Sequence, residues 1–122
     1  VKYILLVQAS QRAHDELART PDTAEIEAFM LKFNADLEAS GEFVDAQGLA
    51  APVHRRRVEA GAGAPVVTDG PYPETQEVLA GYWIVDCSGF DRATEIAAIL
   101  ASGPGPKTAI DVRPIAGSEP EL

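Results

Sequence analysis

Two segments of this chain alternate without leaving a polar side. In Lys2–Ala9, Tyr3, Leu5 and Val7 point one way while Ile4 and Leu6 point the other. In 79–87, Leu79, Gly81, Trp83, Val85 and Cys87 oppose Ala80, Tyr82, Ile84 and Asp86. Strands that are apolar on both faces belong inside a sheet that is covered on both faces. The pattern supplies only two clear helices for that purpose. One starts at Asp22, read as an N-cap with Glu25 at capping-box spacing, and lines up Ile26, Phe29, Met30, Phe33 and Leu37 before Gly41 stops it. The other is capped by Ser88 with Asp91 in its first turn, presents Ala93, Ile96, Ala97 and Leu100, and ends at Gly103-Pro104.

The intervening segments complete an order. Residues 11–20 are polar and read as a loop with room for a helical turn. Residues 42–49 return as a strand, and 53–59 form an outer strand whose Arg55, Arg56 and Arg57 are solvated. Residues 64–68 are extended and pair with that strand in a hairpin turning at 60–64. A last strand covers 108–115, and 116–122 is a frayed tail. The expected architecture is an α+β, ferredoxin-like sandwich: an antiparallel sheet with two helices on one face. The opposite face then needs another cover, and a homodimer that buries it is the expectation.

A length of 122 residues fits one domain, 1–122. A net charge of −9 speaks against nucleic acid and anionic membrane surfaces as partners. The arginine run does not reverse this, because no aromatic interleaves it. No apolar run approaches the roughly 20 residues of a membrane span, and the opening lacks a secretory pattern. A single cysteine, Cys87, allows no internal disulfide and no cysteine metal cluster, which suits the cytoplasm. Cys87 itself reads as a core thiol. No nucleotide-binding, hydrolase or zinc motif is present, and no cofactor is implied.

Candidate chemistry centres on Asp69. Gly70 beside it admits a close approach, and Pro71 fixes the corner, although Asp-Gly is also ordinary turn chemistry. Glu74 and Glu77 share a face if Pro73 opens a helical turn, as acid/base groups, cation ligands or plain solvated surface. His14 and His54 are the only histidines, either of which can act as a proton shuttle or serve as an ordinary exposed side chain. Tyr3, Gln8, Tyr82 and Arg113 are polar groups on strands that can contact a ligand. The tyrosines also fit the core, and Arg113 also fits an ion pair with Asp69 or Asp111.

The stretch Thr68-Asp69-Gly70-Pro71-Tyr72, followed by Glu74-Thr75-Gln76-Glu77 and Leu79-Ala80-Gly81-Tyr82, resembles the Asp-Gly-Pro-Phe branch of the YCII-related proteins. The likeness runs from Lys2-Tyr3-Ile4-Leu5-Leu6-Val7 to Asp111-Val112-Arg113-Pro114-Ile115. Gln76 departs from the usual lysine, which removes a positive charge; Tyr72 for Phe and Ala80 for Gly are milder changes. The resemblance implies a dimeric α/β barrel paired sheet to sheet, and a His–Asp pair in some relatives. Two functional readings follow. One is a cofactor-independent lyase- or isomerase-type enzyme with Asp69 and a histidine as acid/base groups on a small molecule. The other is a non-catalytic small-ligand-binding or regulatory protein, since relatives often accompany alternative sigma factors.

Overall fold

The computed structural model describes residues 1–20, 22–69, 76–105, 107 and 109–118. Its elements are β1 (Lys2–Ala9), α1 (Gln11–Ala18), α2 (Ala24–Ser40), β2 (Phe43–Gly48), a short 3-10 turn (Pro52–His54), β3 (Arg56–Glu59), β4 (Val66–Asp69), β5 (Val78–Asp86), α3 (Phe90–Ser102) and β6 (Ala109–Pro114). The four long strands form one sheet in the order β2-β5-β1-β6, and each neighbouring pair is antiparallel. β3 and β4 make a separate two-stranded sheet. This is the ferredoxin-like α+β arrangement. No helix among the described residues is long and apolar enough to cross a membrane.

The core lies where the inward rows of β1 and β5 meet α2 and α3. Tyr3, Leu5 and Val85 are fully buried against Phe33, Leu37, Ala93, Ile96, Ala97 and Leu100. All four residues of the α3 stripe are buried, so its 3.6-residue period translated directly into packing. In α2, Phe33 and Leu37 are buried, while Phe29 and Met30 pack at the margin. Phe33 stacks on Phe29 at 6.1 Å and meets Trp83 edge-on at 5.5 Å. Gly41 closes α2 at φ 78°, a left-handed conformation that only glycine adopts without cost.

Three local expectations are corrected. Residues 11–20 hold a two-turn helix rather than a loop: Ser10 caps it by accepting from the Ala13 amide at 3.1 Å, and Gln11 donates to Asp15 one turn on at 2.8 Å. Apolar residues are too sparse there to announce a helix. At α2, Thr23 rather than Asp22 occupies the cap, and it donates to Glu27 at 3.1 Å. Asp22 instead accepts from the Ala24 amide at 2.9 Å. At α3, Gly89 rather than Ser88 takes the cap, with no side-chain hydrogen bond. Asp91 still lies in the first turn, where the helix dipole favours it. With α1 included, the described chain carries three α-helices instead of two.

One polar clamp crosses the fold. Arg92 on α3 donates twice to Glu42, just before β2, through Nε at 2.9 Å and Nη2 at 2.7 Å, and once to Glu95 at 3.1 Å. Ser40 adds a hydrogen bond to the same carboxylate at 2.8 Å. The paired guanidinium holds Glu42 below the usual carboxylate range, and Glu42 with Glu95 pushes Arg92 up.

Two outcomes are expected. Phe33→Ala should destabilise the chain by about 3–5 kcal/mol, seen as a lower denaturant midpoint, because it empties a site between two aromatic rings. Glu42 stabilises the fold above the ordinary carboxylate pKa of its unfolded state, and that contribution fades as pH falls through its lower folded value. Glu42→Gln should therefore be less stable at neutral pH, and its stability should fall less steeply on acidification than the parent's. Urea titrations at a series of acidic pH values check the second outcome.

Candidate functional site

The sheet outruns its helical cover at the C-terminal end of β1. There the register with β5 shifts between Val7 and Gln8, and the chain turns at Ser10 into α1. Under that corner lies a cavity of about 500 Å³, within the size range of small-molecule sites. Trp83 of β5 and Met30 of α2 form the wall next to the core, and Leu17 of α1 faces them. The strand end and loop Ala46, Gly48, Leu49 and Pro52 form the remaining side. Gln11 at the start of α1 accepts from the Val53 amide at 2.9 Å and so ties that loop to the helix.

The lining is mostly apolar, with its few polar groups placed by packing. Trp83 Nε1 donates to Asn34 Oδ1 at 2.8 Å, which fixes the indole over the cavity. Gly81, also in the lining, is held against β2: a Cβ there would come within 2.8 Å of the Gln47 carbonyl oxygen. His14 is the only ionisable side chain among the described lining residues. It sits on the exposed side of α1. No lysine or arginine stands among the described lining residues, so the described wall is apolar with few polar groups.

Asp69 lies elsewhere. It ends β4 directly opposite Arg56 of β3, accepts from Arg56 Nε at 2.7 Å, and both side chains are more than two-thirds exposed. Arg56 is therefore the described partner of Asp69, and of the two carboxylates named for Arg113 only Asp111 shares its strand. A shallow depression of about 470 Å³ brings this pair together with Val53, His54 and Arg55. Of the two histidines, His54 is thus the one placed beside Asp69, while His14 belongs to the apolar cavity. Gly70 and Glu74 lie outside the described residues, and Glu77 is exposed.

The other candidates are dispersed. Tyr3 is fully buried in the core, edge-on to Phe90 at 5.3 Å, and burial pushes its hydroxyl pKa up. That hydroxyl has no hydrogen-bond partner among the described residues. Tyr82 points to the opposite sheet face and donates to Asp45 at 2.8 Å; the carboxylate at its hydroxyl, then burial, raises its pKa. Gln8 is half-buried on β1, and Arg113 is exposed on β6 opposite Ile4. Cys87 is a buried thiol directed at the Gly89 carbonyl at 3.5 Å, its pKa raised chiefly by burial. No group of three metal-binding side chains occurs among the described residues.

Sequence reasoning did not single out Trp83, Asn34 or Leu17 as site residues. The available signals were Ser10 as a helix cap and Asn34 beside Phe33, a polar residue next to an apolar stripe that needed a partner.

The sequence profile of the YCII-related domain matches residues 1–113. A protein of Rhizobium meliloti (strain 1021), described as uncharacterized, is 37% identical over 59 residues, which is 48% of this chain and 48% of that protein. The alignment thus spans about half the length of this relative.

Asp69→Asn is expected to leave the denaturant midpoint nearly unchanged, since exposed ion pairs are worth about 0–1 kcal/mol. Amide exchange in 56–59 and 66–69 should quicken as the pair is lost. A clear drop in global stability would show that Asp69 supports more than its own hairpin.

Proposed function

This chain belongs to the YCII-related domain family, and on that premise we propose that it is a small-molecule-binding protein whose ligand is a compact, largely apolar ring compound seated against Trp83. The single observation carrying this reading is the apolar cavity, with its indole fixed by Asn34. A preformed aromatic wall costs a ligand little reordering. His14 at the rim supplies one hydrogen bond to a polar substituent. Binding of this kind suits a regulatory role, in which an occupied cavity alters how the loop at 49–54 is held. A cytoplasmic setting fits a chain whose lone cysteine is a buried thiol.

A second reading, acid/base catalysis, is favoured by one observation: His54, Arg56 and Asp69 line the same depression. In that reading Asp69 orients or relays a proton for His54, and Arg56 receives an anionic group. Against it, Asp69 is exposed among the described residues and already paired with Arg56.

Trp83 is the sole tryptophan, so it reports directly on the cavity. Anilinonaphthalene sulfonate is expected to quench Trp83 emission by energy transfer, saturably. Ala46→Phe, which fills the cavity from β2, should weaken this by about tenfold or more, a loss of roughly 1.4 kcal/mol of binding. Asp69→Asn should leave it unchanged. If Ala46→Phe folds normally and binds the probe like the parent, the cavity is not the ligand site.

A further inference from the structure

The polar atoms in the wall of the apolar cavity are not interchangeable, because some are already engaged within the protein. The indole N–H of Trp83 can only donate. The atom it meets on Asn34 at 2.8 Å is therefore the amide oxygen Oδ1, and the nitrogen Nδ2 occupies the other branch. Phe33, buried one position before Asn34, meets the same indole edge-on at 5.5 Å, so ring and amide are braced together. Asn34 is left with an engaged acceptor and an NH2 group that has no partner among the described residues. Nor is that group sealed in. Among the described residues only the Tyr3 hydroxyl is buried without a partner, whereas Asn34 is a half-buried residue of the cavity wall.

The side of the cavity next to α1 has the same bias. Ser10 Oγ accepts from the Ala13 amide at 3.1 Å, which engages its oxygen and leaves its hydrogen without a partner among the described residues. A carbonyl oxygen suits such a wall, because it offers two lone pairs and brings no hydrogen that needs an acceptor. A hydroxyl or an amine does bring one, and Asn34 Oδ1 and Ser10 Oγ are both engaged. His14 is able to take that hydrogen, but it sits on the exposed side of α1, where water competes. Setting donor against donor in a mostly apolar space leaves both unpaired, which costs more than one bond gains.

Given the cavity as the ligand site, a premise taken from the proposed function, we propose that it selects among compact ring compounds for those bearing a carbonyl oxygen. That oxygen accepts from Asn34 Nδ2 while the ring lies against Trp83. Asn34 is then the residue that sets specificity. Trp83 has two tasks: its face forms the wall, and its N–H dictates which end of the amide meets the ligand. The selection works through unpaired groups. An analogue without the oxygen loses a hydrogen bond, and one with a hydrogen in its place meets a donor.

Acetophenone and ethylbenzene, alike in ring and size but differing in the carbonyl oxygen, test this by isotope-edited NMR of the parent chain. Trp83 gives the chain's one indole N–H signal, and the Asn34 side-chain NH2 pair is assigned through its own backbone. Both compounds should shift the Trp83 signal saturably. Acetophenone alone should move the Asn34 pair downfield, and it should bind about fivefold tighter than ethylbenzene. Asn34→Asp keeps an oxygen toward Trp83 and sets a second where Nδ2 stood. It should lose the preference for acetophenone and bind benzylamine more tightly than the parent does. If both compounds shift Trp83 with equal affinity and the Asn34 pair stays still, selection for a carbonyl is overturned and the cavity remains the ligand site. If neither compound moves Trp83, the cavity is not the site and the selection falls with it. A folded Asn34→Asp variant that still prefers acetophenone overturns the role of Asn34. Should that variant not fold, the two compounds on the parent decide alone.

Discussion

Everything in this fold hangs on β1, a strand hydrogen-bonded on both edges, to β5 and to β6, and apolar on both faces. Its inward row, Tyr3 and Leu5 with Val85 beside them, is the floor onto which α2 and α3 settle. With that row apolar and buried, the helices need only one apolar stripe each to complete a core. The Arg92–Glu42 clamp then links α3 to the corner between α2 and β2, where a purely apolar contact would leave their relative position loosely specified.

The cavity follows from the same geometry. Helices α2 and α3 cover the middle of the sheet, and at Ala9 the strand ends with α1 only partly closing the gap. Apolar residues that would be core elsewhere, Trp83 and Met30 among them, are left facing a space. Packing elsewhere in the chain is close enough that Gly103 lies against the Phe29 ring with no room for a Cβ. The space is thus a local consequence of where the secondary structure stops.

A division of labour accompanies it. The carboxylate that the motif brought forward, Asp69, stands on a hairpin outside the main sheet and is neutralised by Arg56. The apolar cavity lies under α1. The apolar cavity and this carboxylate therefore occupy different parts of the fold, the carboxylate sharing its own depression with His54.

What the sequence determined by itself was whatever depends on periodicity. The inward rows of β1 and β5, the stripes of α2 and α3, the hairpin at 56–69 and the glycine stop at Gly41 all follow from local alternation, because burial selects residues at fixed spacing. α1 escaped because its stability comes from the Ser10 cap and polar side-chain pairs rather than from an apolar stripe. The tertiary structure alone decided which residues are brought together across long separations. The Arg56–Asp69 pairing depends on hairpin register, the Trp83–Asn34 bond on how α2 is rotated over β5, and the division between His14 and His54 on where α1 and the 3-10 turn lie. Such contacts join segments far apart in the chain, and no local pattern of side chains encodes the distance between them.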